Sequence, residues 1–140
     1  MQYEFMQQYI QTALSHINKI KLDISCYFCD MNYYELYEES MTGMRYININ
    51  DIPYPTYIQN KNIRYSINNR KTRNEITYNK LDVINNVIQK LENMNQKQIL
   101  KYVSDDKPVA ITNNYEEINY EAVFYRSPEY EIRIYPPGLD

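Results

Sequence analysis

The stretch Asp23–Met31, DISCYFCDM, marks a change in the spacing of apolar residues along the chain. Within it Ile24, Cys26 and Phe28 occupy alternate positions, which is the period of a β-strand. The residues before it follow the helical period instead, with apolar side chains three or four positions apart: Met6, Tyr9, Ile10, Ala13, Leu14, Ile17 and Ile20. The pattern therefore predicts a helix over about residues 3–21, followed by a strand buried on at least one side.

The residues after this stretch predict further strands. An acidic connection, helical or irregular, runs over residues 32–43 and ends at Gly43. Residues 44–52, MRYININDI, alternate as a strand does, and the prolines at 53 and 55 are expected to end that strand. Residues 56–67 then predict a hairpin with Asn60–Asn62 at its tip, and EITY, residues 75–78, is the expected partner of IRYSI. Strands are thus expected within residues 23–79.

The second half of the chain predicts one helix and a group of C-terminal strands. The helix is expected over about residues 78–103, interrupted near Asn93–Asn95, with its apolar stripe at Leu81, Ile84, Val87, Ile88 and Leu91. Strands are expected within residues 108–135, where YEAVFY and EYEIRIY predict a hairpin. The predicted fold is a single α+β domain over residues 1–140, in which an antiparallel sheet packs against two amphipathic helices.

The composition indicates the source and the compartment. The chain has 17 Tyr, 17 Asn and 18 Ile, a bias typical of an AT-rich genome, so we expect a virus, a phage or another mobile element. Two cysteines are too few for a disulfide scaffold and indicate a reducing compartment. No apolar run approaches the length of a membrane span, and no secretory signal is visible. We therefore expect a cytoplasmic protein without a membrane partner.

Charge is divided unevenly along the chain. The formal net charge of −3 combines −4 over residues 1–60, +6 over residues 61–101 and −5 over residues 102–140. A cationic middle is therefore flanked by two acidic segments. Opposite charges of this kind make a homodimer a further expectation.

Several chemistries are disfavoured by the residues present. Two glycines in the whole chain cannot supply a phosphate-binding loop or a dinucleotide-binding fingerprint. Cys26 and Cys29 have CxxC spacing, but in a strand they would face opposite sides. His16 is the single histidine, which favours a residue at the helix border over a catalyst or a zinc ligand. We expect no catalytic residue, no metal and no cofactor, and hence a protein that is not an enzyme.

The leading hypothesis is a small interaction protein that binds another protein, either as an inhibitor of a host factor or as a small subunit of a larger complex. Tyrosine offers a large amphipathic contact area, and clustered carboxylates suit a basic partner. The expected contact residues lie in two acidic, aromatic segments: Tyr34, Glu35, Tyr37, Glu38 and Glu39 in the first, and Glu116, Glu117 and Tyr120 in the second.

Two alternatives remain open. The basic, aromatic hairpin 63–79 predicts a nucleic-acid-binding module, because cations and tyrosine rings together suit single strands. Its expected contacts are Arg64, Arg70, Lys71 and Arg73. The other alternative is a metal-dependent hydrolase that uses glutamates on the C-terminal strands: Glu121, Glu129 and Glu131.

Overall fold

The computed structural model describes residues 1–59 and 73–132. A helix lies at its centre and packs against the other helices and a two-stranded antiparallel sheet, which confirms the predicted α+β class. The elements follow in the order α1 (Tyr3–Ala13), α2 (Lys19–Tyr37), β1 (Met44–Ile49), β2 (Ile52–Gln59), α3 (Arg73–Leu91), α4 (Gln96–Ser104), α5 (Lys107–Ala110) and two 3-10 helices, η1 (Tyr120–Tyr125) and η2 (Pro128–Tyr130).

The central element is α2, and it replaces the strand predicted at Asp23–Met31. Every side chain from Leu22 to Met31 is buried, because α1, α3, α4, β2 and η1 all contact this helix. A helix that is buried on all sides has no polar face, so its apolar residues show no one-sided helical period. The strand prediction is wrong because a short apolar run does not distinguish a buried strand from a buried helix.

The single helix predicted over residues 3–21 is two helices. Helix α1 ends at Ala13, and the chain turns at His16, whose φ of 65° lies in the left-handed region. Helix α2 begins after Asn18, whose side chain accepts a hydrogen bond from the backbone N–H of Lys21 (2.8 Å). This N-cap satisfies one of the unpaired donors at the start of the helix.

Strand β1 is confirmed, but Pro53 and Pro55 do not end a strand, because both lie within β2. They pair with Asn48 and Tyr46 of β1, whose own backbone groups bond to residues 115–118 on the far side (2.6–3.0 Å). The nitrogens of the two prolines therefore face away from β1, where the sheet needs no donor. Their position at a sheet edge explains how a strand accommodates two prolines.

Residues 56–59 of the predicted hairpin do lie in a strand, β2, whereas the strands predicted at EITY and within the described part of residues 108–135 are wrong. Residues 108–132 form α5, η1 and η2, and Glu117 alone makes a single bridge, to Ile47. The EITY segment lies in α3 and not in a hairpin. The predicted break near Asn93–Asn95 is confirmed, since it separates α3 from α4. The hairpin tip at Asn60–Asn62 and residues 133–140 lie outside the described residues.

No helix within residues 1–59 and 73–132 has both the length and the apolar composition that crossing a bilayer requires.

Candidate functional site

The C-terminal half of α2 and η1 bring together parts of the two segments predicted to contact a partner. The ring centroid of Tyr34 lies 5.2 Å from that of Tyr120 and 5.9 Å from that of Phe124. The Tyr34 hydroxyl also donates to the carboxylate of Glu121. Residues that are about ninety positions apart in sequence therefore form one cluster.

Tyr34 and Tyr120 are buried, so they support this cluster from below and do not present their rings to solvent. The Tyr120 hydroxyl donates to the carbonyl of Met44 (2.6 Å) and lies 3.1 Å from Ser40 Oγ. A buried tyrosine whose hydroxyl is satisfied is a core residue with a polar anchor.

The exposed residues of the cluster are mostly ones that the sequence analysis did not select. Phe124 is 45% exposed and Tyr125 is 75% exposed. Leu36 and the predicted Tyr37 are exposed on the last turn of α2. We call this set, with the exposed Glu38 and Glu121, the α2–η1 surface. Leu36 lies in the predicted acidic connection, and Phe124 and Tyr125 lie in YEAVFY, which is predicted as a strand; the adjacent apolar pair Phe124-Tyr125 is the signal that the sequence offers.

The other predicted carboxylates occupy different environments. Glu35 is half-buried and lies 3.6 Å from the guanidinium of Arg126. Glu39 is half-buried, and its charge interacts with that of the buried Lys80. Burial lowers the pKa of Lys80, and the negative charge of Glu39 opposes that shift. Glu38 is exposed and ends α2 in the left-handed conformation, with φ of 56°.

Glu116 and Glu117 lie beside β1. The carbonyl of Glu116 accepts from the N–H of Asn48 (3.0 Å), while its side chain is exposed. The Glu117 carboxylate accepts two bonds from Arg45, at 2.6 Å from Nε and 3.1 Å from Nη2. This exposed bidentate pair joins the C-terminal segment to the sheet.

A buried ionic cluster around Arg126 supports the α2–η1 surface from beneath. The Arg126 side chain is 3% exposed, and its Nε and Nη2 each donate to the carboxylate of the fully buried Asp106 (2.8 Å). The Tyr27 hydroxyl donates to the same carboxylate (2.8 Å), and Arg126 Nη1 donates to Asn32 Oδ1 (2.8 Å). These bonds connect α2, the α4–α5 junction and the end of η1. Arg126 lies between YEAVFY and EYEIRIY, at the turn of the hairpin predicted there, and a turn position gives no signal of a buried ion pair.

Arg126 also stacks between aromatic rings. Its guanidinium carbon lies 5.9 Å from the ring centroids of Phe28 and of Tyr130. Cation–π contacts of this kind are strongest where water is excluded. The planar guanidinium thus fixes the position of η1 and η2 against α2.

A second buried carboxylate, Asp30, anchors the turn before β1. It accepts bonds from Ser40 Oγ (3.0 Å), from the N–H and hydroxyl of Thr42 (2.9 and 2.7 Å) and from the Tyr46 hydroxyl (2.6 Å). Burial raises the pKa of Asp30, and these hydrogen bonds partly oppose the shift. Because every one of these groups is buried, we assign the cluster to folding and not to chemistry on a substrate.

The two cysteines are buried in α2, where a spacing of three residues places them near one face of the helix. Burial raises the pKa of Cys26 to about 12 and raises the pKa of Cys29 well above its ordinary value. Thiols with raised pKa values are poor nucleophiles and poor metal ligands at neutral pH.

His16 lies in the turn between α1 and α2 and not on a helix. It borders an open cleft of about 440 Å³ that is also lined by Lys21 and Glu92. The ammonium of Lys21 already donates to the carbonyls of Glu92 (3.3 Å) and Met94 (3.0 Å), at the end of α3. In this position Lys21 satisfies carbonyls that the helix terminus leaves unpaired.

The glutamates proposed for a hydrolase are not on strands. Glu121 lies in η1, Glu129 lies in η2, and Glu131 directly follows η2. Among the described residues, no three His, Cys, Asp or Glu side chains approach one another closely enough to hold a metal ion.

The residues of the nucleic-acid alternative fall largely beyond what the structure describes. Arg64, Arg70 and Lys71 lie outside the described residues, and Arg73 is described only as the first residue of α3. The hairpin 63–79 is wrong from residue 73 onwards, since that part is helical.

No protein-family model, no curated protein and no solved structure matches this chain. The function proposed below is therefore argued from contacts, burial and charge.

Proposed function

We propose that this chain is a non-enzymatic interaction protein that binds another protein through the α2–η1 surface. The observation that carries the proposal is the exposure of Phe124 and Tyr125 on η1, where Phe124 packs 5.9 Å from Tyr34 of α2, together with the exposure of side chains on the last turn of α2. Exposed clusters of this kind, with tyrosine and phenylalanine at their centre, are typical of protein-binding sites. The buried Arg126–Asp106 pair holds both elements in place before a partner arrives, which lowers the entropic cost of binding.

The charges around these rings favour a basic partner. Glu38 and Glu121 are exposed at the rim, and Glu35 is half-buried next to Arg126. A partner segment with apolar side chains flanked by Lys or Arg fits this pattern, since carboxylates at a rim steer association. We expect the biological role to be inhibition of a host factor, or service as a small subunit of a larger complex, in a virus, phage or mobile element.

The test compares affinity capture by three forms of the protein, each checked for its melting temperature. The forms are the natural chain, a variant with Phe124→Ala and Tyr125→Ala, and a control with Tyr115→Ala, which is equally exposed but lies beside β1. We expect a partner that the natural chain and the control retain and that the double variant loses. With that partner purified, calorimetry should show at least a tenfold rise in Kd for the double variant, or about 1.4 kcal/mol.

A charge substitution tests the chemistry of the partner. Glu38→Lys should weaken binding at low salt more than at high salt, because rim charges act chiefly through screened, long-range attraction. Equal capture by all forms, with stability unchanged, would contradict the assignment of this surface.

A further inference from the structure

Strand β2 contains a bulge that turns two side chains out of the sheet. The register pairs Met44 with Gln59 and Tyr46 with Pro55, so that Arg45 alone faces the three residues Thr56–Ile58. Thr56 Oγ1 donates to the carbonyl of Arg45 (2.9 Å) and accepts from the N–H of Ile58 (3.2 Å), which holds the bulge in shape. Bulges redirect side chains, and here they leave Tyr57 and Ile58 exposed.

The backbone at Tyr57 is strained. Its φ of 62° lies in the left-handed region, which is unfavourable for a bulky aromatic residue. Residue 57 is nevertheless 52% exposed, although its ring makes an edge contact with the buried Tyr3, with ring centroids 5.6 Å apart. Backbone strain at an exposed aromatic residue is a reason to look for a function of the side chain.

A lysine lies between this ring and a second exposed tyrosine. The ammonium of Lys19 is 5.8 Å from the ring centroid of Tyr54 and 6.0 Å from that of Tyr57, and Tyr54 is 46% exposed. Lys19 is held by the two carboxylate oxygens of Asp23, each at 3.0 Å. Besides the two bonds to Asp23, the ammonium also interacts with the Tyr57 hydroxyl, which places the charge beside that ring. We call Tyr54, Tyr57 and Lys19 the tyrosine–lysine platform.

This set of groups has the chemistry that recognises single-stranded nucleic acid. Exposed aromatic rings stack with bases of any sequence, and a neighbouring cation contacts the phosphate between them. Charge favours the same ligand, since β2 leads directly into residues 60–72, which contain four basic residues and no acidic residue. The α2–η1 surface, with its exposed carboxylates, would repel a phosphate backbone.

We propose that the tyrosine–lysine platform binds single-stranded nucleic acid, with bases stacked on Tyr54 and Tyr57 and a backbone phosphate on Lys19. This activity goes beyond protein binding and occupies a different surface, so the two proposals succeed or fail separately.

The experiment is fluorescence anisotropy with a labelled oligothymidylate, an oligouridylate of equal length and a duplex, over a series of salt concentrations. We expect micromolar binding to the single strands at low salt, weaker binding to the duplex, and a linear fall of log K with log salt concentration. A preference between the two single strands would show whether the 2′-hydroxyl contributes.

Variants test the role of the rings while controlling for folding. Tyr54→Phe with Tyr57→Phe keeps both rings and should retain binding. Tyr54→Ala with Tyr57→Gly should weaken binding at least tenfold, and the glycine keeps the left-handed backbone of residue 57 without strain. Tyr125→Ala on the α2–η1 surface should leave nucleic-acid binding unchanged.

Four results would overturn the proposal. One is the absence of single-strand binding at low salt. Another is unchanged binding by the variant that lacks both rings. The third is a loss of binding confined to a variant with Arg70→Ala, Lys71→Ala and Arg73→Ala, which would assign binding to the basic segment. If the variant without rings instead loses only a protein ligand, the patch is a protein contact and the proposal is wrong.

Discussion

At the scale of single residues, some tyrosines of this chain are core residues whose hydroxyl groups form hydrogen bonds to buried polar groups. The hydroxyl of Tyr27 bonds to Asp106, that of Tyr46 bonds to Asp30, and both tyrosines are fully buried. A buried hydroxyl needs such a partner, and a buried carboxylate needs donors. The composition reveals how many tyrosines there are but not which of them meet a carboxylate, because the partner is 16 or 79 positions away.

The Arg126–Asp106 pair gives the sharpest prediction at this scale. Arg126→Met removes three of the hydrogen bonds in the buried cluster and leaves the Asp106 carboxylate with the Tyr27 hydroxyl and without a cation. We expect the free energy of unfolding in urea to fall by about 3–5 kcal/mol, because the remaining charge stays buried and unpaired.

The exposed pair Lys101–Asp105 provides the matched control, and Lys101→Met should change stability little. Adding Asp106→Leu to Arg126→Met should recover part of the lost free energy of unfolding, because it removes the unpaired buried carboxylate. A small effect of Arg126→Met on its own would show that water or another cation reaches Asp106.

At the scale of elements, local sequence determines where helices begin. Helix α4 starts with a capping box, in which Asn95 accepts from the N–H of Gln98 and the Gln98 side chain accepts from the N–H of Asn95 (2.9 Å each). The reciprocal bonds satisfy donors that the first turn would leave free. This signal is local, and it explains why the break near Asn93–Asn95 could be predicted.

Removal of this cap tests its contribution. Asn95→Ala should lower the free energy of unfolding by about 1 kcal/mol, measured by urea denaturation. Asn93→Ala, two residues earlier in the same exposed turn, serves as the control and should have a smaller effect. If both substitutions lower the free energy of unfolding by the same amount, then the turn as a whole stabilises α4 and the N-cap hydrogen bond does not.

The elements that could not be predicted are those defined by distant partners. Helix α2 has apolar neighbours on every side, so its sequence does not show a helical face. Pro53 and Pro55 are compatible with β2 only because residues 115–118 occupy the opposite edge of β1. The α2–η1 surface has the same origin. The residues of this surface that the sequence predicts lie close together on α2. Phe124 and Tyr125 come from a distant part of the sequence and reach α2 only because η1 packs against Tyr34.

At the scale of the whole molecule, the buried thiols of α2 report on global opening. Burial raises the pKa of Cys26 to about 12 and also raises that of Cys29, so little thiolate forms at pH 8 in the folded protein. We expect neither thiol to react with Ellman's reagent under native conditions, and both to react in guanidinium. The rate in dilute guanidinium should follow the free energy of unfolding, because α2 becomes exposed only when its neighbours separate.

The Arg126→Met protein provides the comparison, and its thiols should react faster than those of the natural chain. Rapid reaction of one thiol in the natural protein, without denaturant, would show that part of α2 opens independently of the rest.

The central position of α2 also has a consequence for synthesis. Its buried side chains need Asp106, Tyr120 and Arg126, which leave the ribosome long after residue 37. At roughly 5–20 residues per second, a helix whose residues 22–31 are all buried in the folded protein waits about 5–20 s for these partners. We expect the nascent chain to bind chaperones during that interval and to be released once its C-terminal third has emerged.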